Sequence, residues 1–184
     1  MNLPTIITLF RIALIPLVIL VFYLPFPGNH LIAAAIFSLA CITDWLDGYL
    51  ARKWNQISKF GAFLDPVADK LMVVVALVMI VGNPHLLYIA VPAAIIIGRE
   101  LVISALREWM AEIGKRASVS VSYIGKVKTT FQMLAIIGLL ACDPSHPGIL
   151  MFAGYVLLYI AALLTLWTMI VYLKAAWPNF DFNK

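Results

Sequence analysis

The chain has 184 residues, 64% of them hydrophobic and only 12% charged, with a mean hydropathy of +1.00 and a formal net charge of +4. Soluble domains carry about 25% charged residues, so the composition excludes an ordinary soluble fold and points to an integral membrane protein. It also argues against a nucleic-acid binder: in so apolar a chain the positive balance reports membrane topology and attraction to anionic lipid.

Apolar runs of about twenty residues, enough to cross about 30 Å of hydrocarbon as a helix, recur along the whole sequence. Six are predicted, at 5–25, 31–50, 62–82, 86–108, 127–142 and 149–173. The first could pass for a signal peptide, but it contains Arg11 and no convincing cleavage site precedes the next run. The breaks alternate in chemistry. "PFPGNH", "GNPH" and "CDPSHPG" are rich in Pro and Gly and free of Lys and Arg, whereas the other two are flanked by Arg52, Lys53, Lys59 and Lys70 and by Lys115, Arg116, Lys126 and Lys128. The positive-inside rule places both basic loops and both termini in the cytoplasm. The expected fold is therefore an all-α integral membrane protein of six transmembrane helices, with 1–184 forming one domain. Backbone groups in lipid must be satisfied within helices or closed barrels, and the alternation of a barrel is absent. Trp45, Trp54, Trp109 and Trp177 fall near the cytoplasmic ends as interfacial anchors. Cys41 and Cys142, on opposite sides of the bilayer, cannot pair within the chain and read as small buried thiols. His30, His85 and His146 fall in the outer breaks and read as solvated loop residues.

Between the second and third runs lies "TDWLDGYLARKWNQISKFGAFLDPVADK". At 100° per residue Asp44, Asp47, Gly48 and Ala51 share about 100° of one helix face, with Arg52 beside them. Gly61, Asp65 and Asp69 are spaced four apart and stack on a second face. Asp65-Pro66 reads as a helix start with Asp65 as cap, or as a kink. The turn makes the two helices antiparallel neighbours, so their faces bring four carboxylates to the cytoplasmic boundary. An ionised Asp at a helix centre costs roughly 2.5 to 3.5 kcal/mol on the insertion scale, and mutual repulsion adds to it. Salt bridges from Lys70, Arg52 or Lys59 are one source of compensation. Hard oxygen ligands in this number suit two Mg²⁺ or Mn²⁺ ions better than zinc, and two such ions can clamp a diphosphate. The small Gly48 and Ala51 leave room for a nucleotide, or simply for close helix packing.

Asp44-x2-Asp47-Gly48-x2-Ala51-Arg52-x8-Gly61-x3-Asp65-x3-Asp69 resembles the signature of the CDP-alcohol phosphotransferases, with every position filled. The resemblance implies a six-helix, usually homodimeric membrane enzyme that displaces CMP from a CDP-linked substrate with an alcohol. It implies that Asp44, Asp47, Asp65 and Asp69 bind the metals and that Asp69 is also the catalytic base. It further implies that Gly48, Ala51 and Arg52, together with Gly61, help hold the CDP group. Proton acceptance by a carboxylate while metals neutralise the departing phosphate is sensible chemistry.

The acceptor is suggested elsewhere. Arg99 and Arg107 in "GRELVISALREWM" lie about 12 Å apart along a helix and within roughly 80° around it, and an embedded arginine requires a partner. Glu100 and Glu108 adjoin them, but neighbours at i,i+1 point apart and are not expected to pair. Lys126 and Lys128 open the fifth span. These four cations suit an acceptor carrying its own phosphate, or serve topology and ion pairs alone. With "NLPTIITLFRI" at the start, these stretches are similar to the bacterial branch of the family that uses CDP-diacylglycerol and sn-glycerol 3-phosphate in the cytoplasmic (inner) membrane, with the site facing the cytoplasm. Many members carry Asn where this chain has Thr5. Thr8 and Arg11 share a face expected to point toward the nucleotide, although Arg11 could instead snorkel to the interface. Other acceptors (inositol phosphate, serine or phosphatidylglycerol) are the first alternative. A cation transporter is a more remote one, since transport sites usually lie near the midplane of inverted repeats and no repeat is visible.

Overall fold

A computed structural model of the chain describes residues 3–54, 59–84, 86, 88–114, 123–143 and 148–179. Six helices follow one another: α1 Leu3–Tyr23, α2 Asn29–Trp54, α3 Lys59–Val81, α4 Ala90–Glu112, α5 Tyr123–Ala141 and α6 Ile149–Ala176, with a short 3-10 turn at Trp177–Asn179. No strand occurs among the described residues. Each helix overlaps a predicted apolar run, because a segment that meets only apolar surroundings must satisfy its backbone groups internally.

The connections follow local chemistry. After α1 the chain turns through Gly28, whose φ of +82° favours glycine, and Asn29 Nδ2 donates to the carbonyl of Phe22 at 2.9 Å, tying the start of α2 to the end of α1. α4 ends where Gly114 adopts a φ of +76° and its N–H returns to the carbonyl of Ala111. Pro16 and Pro66 lie inside α1 and α3, where each removes the N–H that would have reached the carbonyl four residues earlier. α3 therefore begins at Lys59, six residues before the Asp-Pro pair. Asp65 is a helical residue rather than a cap, because its carboxylate is engaged by a neighbouring helix and is not free to fold back on its own backbone.

The buried core runs through the middle of the bundle and includes Val18, Phe37, Leu77, Ile80, Ile96, Ile136 and Leu158. The outside is also apolar: Leu20, Leu31, Phe63, Leu101, Leu134 and Leu163, one from each helix, are exposed. A coat of this kind suits hydrocarbon and not water. Two stretches, Thr5–Tyr23 and Ile149–Ala176, are by themselves long and apolar enough to cross a bilayer. Asn29–Asp44 and Val127–Ala141 are shorter apolar segments, because their helices carry charges near one end.

α1 packs on α2 and α3, α5 lies between α2 and α6, and α4 rests on α6. α5 and α6 approach closely: a Cβ on Gly154 would come within 2.8 Å of Leu139 Cγ, while one on Gly138 would meet Gly154 Cα at 3.8 Å. The up-and-down order gathers the starts of α1, α3 and α5 with the ends of α2, α4 and α6. By backbone position, Arg11, Asp69, Lys70, Arg99 and Glu100 fall near the middle of their helices and the other charged residues of the described helices toward that end. Asp143 alone among the described charges lies at the opposite end. His30 departs from expectation. It sits in the first turn of α2, with its ring edge-on to Phe22 at 4.9 Å and its Nδ1 buried. The apolar face of imidazole packs there as another aromatic. His85 and His146 lie outside the described residues.

Candidate active site

Thr8 and Arg11 are three residues apart on α1 and face the groove between α2 and α3. Arg11 is almost wholly buried, and its Nη1 donates to Asp44 Oδ1 and to Asp69 Oδ1, each at 2.7 Å. One turn earlier, Thr8 Oγ1 donates to Asp65 Oδ1 at 2.6 Å. One face of α1 thus gathers carboxylates from both flanking helices. The carboxylates themselves remain open, the Asp44 and Asp69 side chains being 43% and 44% exposed. Among the described side chains the cation found on both Asp44 and Asp69 is Arg11 and not Lys70. Arg11 points into the bundle and does not snorkel outward. Thr5, where many members have Asn, is buried one turn before Thr8.

Asp47, Gly48, Ala51 and Arg52 lie on α2, which continues as helix to Trp54, but their side chains lie outside the described residues, as does that of Lys59. Gly61 is buried on α3, one turn before Asp65. Among the described residues no group of three or more His, Cys, Asp or Glu side chains is close enough to hold a metal ion. The donor chemistry nevertheless fits a hard cation: Asp44 and Asp69 each turn an oxygen to a single positive nitrogen. Two of the proposed ligands already converge on one charge, and Asp65 is held one turn away.

A cavity of about 350 Å³ opens beside this cluster. Arg11, Asp44 and Asp69 form its charged end; Phe37, Met72, Met133 and Leu134 form an apolar wall; Thr129 and Thr130 of α5 complete it. Cys41 also lines it, so this thiol is not fully buried, whereas Cys142 is.

The second group of predicted residues assembles on the neighbouring faces of α4, α5 and α6. Lys128 Nζ and Arg99 Nη1 both donate to Glu100 Oε1, at 2.9 and 3.1 Å. Arg99 Nη2 reaches Thr168 Oγ1 at 3.4 Å. The guanidinium carbons of Arg99 and Arg107 lie 5.6 and 5.5 Å from the centre of the Tyr172 ring, within cation–π range. Arg99 and Lys128 are buried and Arg107 is exposed. The expectation that Arg99 and Glu100 would not pair is thus corrected. Neighbours at i,i+1 leave the helix in different directions, but the long Arg99 side chain, confined between helices, bends back to the adjacent carboxylate. Lys126 lies on α5 with its side chain outside the described residues. Thr168 and Tyr172 were not singled out from the sequence, and Glu100 was noted only as the acid adjoining Arg99.

The profile of the CDP-alcohol phosphatidyltransferase family matches residues 1–167. The chain is 58% identical over 179 residues, 97% of either chain, to a protein of Yersinia enterocolitica named CDP-diacylglycerol-glycerol-3-phosphate 3-phosphatidyltransferase. It is 57% identical over the same span to the Yersinia pestis protein of that name. Against the Salmonella choleraesuis protein of that name it is 56% identical over 176 residues, 95% of this chain and 94% of the other. With Asp44, Asp65 and Asp69 held by α1 and the match running almost end to end, the chain belongs to the CDP-alcohol phosphatidyltransferase family.

Proposed function

We propose that the protein transfers the phosphatidyl group of CDP-diacylglycerol to sn-glycerol 3-phosphate, releasing CMP, in the biosynthesis of phosphatidylglycerol. The observation that carries this reading is the amphipathic cavity, with Asp44, Asp69 and Arg11 at one end and an apolar wall behind them. A lipid-linked diphosphate has the same two-ended chemistry. The names of the near-full-length relatives supply the donor and acceptor.

In this reading Asp44, Asp47, Asp65 and Asp69 would hold two Mg²⁺ or Mn²⁺ ions, in keeping with a family that is generally dependent on divalent metal. When bound, such ions neutralise charge on the diphosphate. Thr8, Gly48, Ala51, Arg52 and Gly61 hold the CDP group. Asp69 accepts the proton of the attacking hydroxyl as its oxygen bonds to the phosphatidyl phosphorus and the bond to CMP breaks. Thr8 and Arg11 orient the carboxylates, so little reorganisation is left for the moment of reaction. Arg99, Arg107, Lys126 and Lys128 take the acceptor's phosphate. Supporting this, Lys128 directly precedes Thr129, which lines the cavity shared with Asp69, so α5 connects the two clusters.

The six helices all span the membrane, with both termini and the site on the cytoplasmic side of the bacterial inner membrane. The whole chain is one domain and works as a homodimer. Incorporation of radiolabelled acceptors into lipid tests the reading. Labelled sn-glycerol 3-phosphate should enter the lipid phase only with CDP-diacylglycerol present, and preferential use of inositol phosphate, serine or phosphatidylglycerol would replace the acceptor.

A further inference from the structure

We propose that Glu100 is a positioning residue for the acceptor's phosphate, fixing Arg99 and Lys128 so that their remaining donors converge on it. The inference rests on the functional reading above and adds a residue to it. Three observations carry it. A single oxygen of Glu100 accepts from both cations, at 2.9 and 3.1 Å, and so links α4 to α5. The bond to Arg99 is made through Nη1, at the end of the guanidinium. The side-on edge formed by Nε and Nη2 can grip a phosphate with two parallel N–H bonds. On that edge the Nε of Arg99, a residue more than nine-tenths buried, has no hydrogen-bond partner, and Nη2 has only the long contact to Thr168 at 3.4 Å.

A buried N–H without a partner is rare and calls for an explanation. A phosphate oxygen supplies one. Lys128 has three donor hydrogens and spends one on Glu100, so it too keeps donors for an incoming anion. The carboxylate is 22% exposed against 8% and 2% for the two cations. It is therefore the most accessible member of the cluster, with the two cations buried behind it. Tyr172 sets the other boundary, with Arg99 and the exposed Arg107 both against its ring.

Without the carboxylate, Arg99 and Lys128 repel each other and lose their common anchor, so the donors no longer converge although both charges remain. The test is steady-state kinetics of Glu100→Gln, Glu100→Asp and wild type with both substrates varied. Thermal unfolding and the KM for CDP-diacylglycerol serve as folding controls. The proposal predicts a rise in the acceptor KM of tenfold or more for Glu100→Gln and partial recovery for Glu100→Asp. The KM for CDP-diacylglycerol should stay within about twofold. If turnover is too low to measure, calorimetric titration of the detergent-solubilised variant with sn-glycerol 3-phosphate replaces it, with tenfold weaker binding expected. An unchanged acceptor KM or affinity would overturn the proposal. So would a lower KM, which would mean that the carboxylate competes with phosphate. If wild-type protein uses another acceptor and ignores sn-glycerol 3-phosphate, the functional reading fails and the proposal with it; failure in the Glu100 variants alone leaves that reading standing.

Discussion

Arg11→Met tests how the carboxylates are held together. Methionine keeps most of the apolar stem that packs inside the bundle and removes the charge. The guanidinium lies 2.7 Å from both Asp44 and Asp69, so the two facing oxygens are no more than about 5.4 Å apart, twice that bond length. With the cation gone they repel across a short gap. An exposed ion pair contributes 0.2 to 1 kcal/mol, whereas breaking a fully buried pair costs about 3 to 5 kcal/mol. Here the cation is buried but the carboxylates are nearly half exposed, so solvent screens part of the loss. The expected destabilisation is about 2 kcal/mol, roughly a 30-fold change in the folded-to-unfolded ratio. Reversible unfolding in mixed micelles with chelator present, followed by tryptophan fluorescence, measures it. A double-mutant cycle with Asp69→Asn should give a coupling of about 1 kcal/mol. A destabilisation below about 0.5 kcal/mol, or strict additivity with Asp69→Asn, would refute the idea that α1 supplies the balancing charge.

Other substitutions separate the parts of the account. Thr8→Ala removes the 2.6 Å bond to Asp65 and should cost roughly 1 kcal/mol, given the modest worth of hydrogen bonds within membranes; Thr8→Ser should restore most of it in the same micellar assay. Gly154→Ala would bring a Cβ within 2.8 Å of Leu139 and should destabilise by about 1 to 3 kcal/mol. Gly138→Ala meets only ordinary contacts at 3.7 Å and beyond and should be nearly neutral. Tyr172→Leu removes the ring shared by Arg99 and Arg107 and should raise the acceptor KM with little change for CDP-diacylglycerol, whereas Tyr172→Trp should retain wild-type behaviour.

The helices were legible in the sequence because hydropathy needs only local information. Their ends were less so. α2 continues past the predicted 50 to Trp54, and α4 spans Ala90–Glu112 in place of 86–108, because helix can continue beyond the apolar stretch that hydropathy detects. Spacing and a basic turn suggested that the Asp44 face would meet the Asp65 and Asp69 face directly; among the described residues α2 and α3 scarcely touch, and α1, packed on both, joins the carboxylates instead through Arg11 and Thr8. The role of Arg11 was not legible in the sequence: it contacts Asp69 across 58 positions, and only the packing of α1 between α2 and α3 decides whether it turns inward. The same holds for Glu100, whose partner Lys128 lies 28 residues away on another helix.

The central claim is that the aspartate site held by α1 through Asp44, Asp65 and Asp69 catalyses acceptor-dependent release of CMP. The most direct test is CMP release by detergent-purified protein from CDP-diacylglycerol, with and without sn-glycerol 3-phosphate and Mg²⁺, alongside Asp69→Asn. The account predicts release that requires all three components and falls by about 10² to 10⁴ in the variant, as expected on losing a general base. Release that persists undiminished in folded Asp69→Asn, or no release from folded wild-type protein with any alcohol, would contradict it.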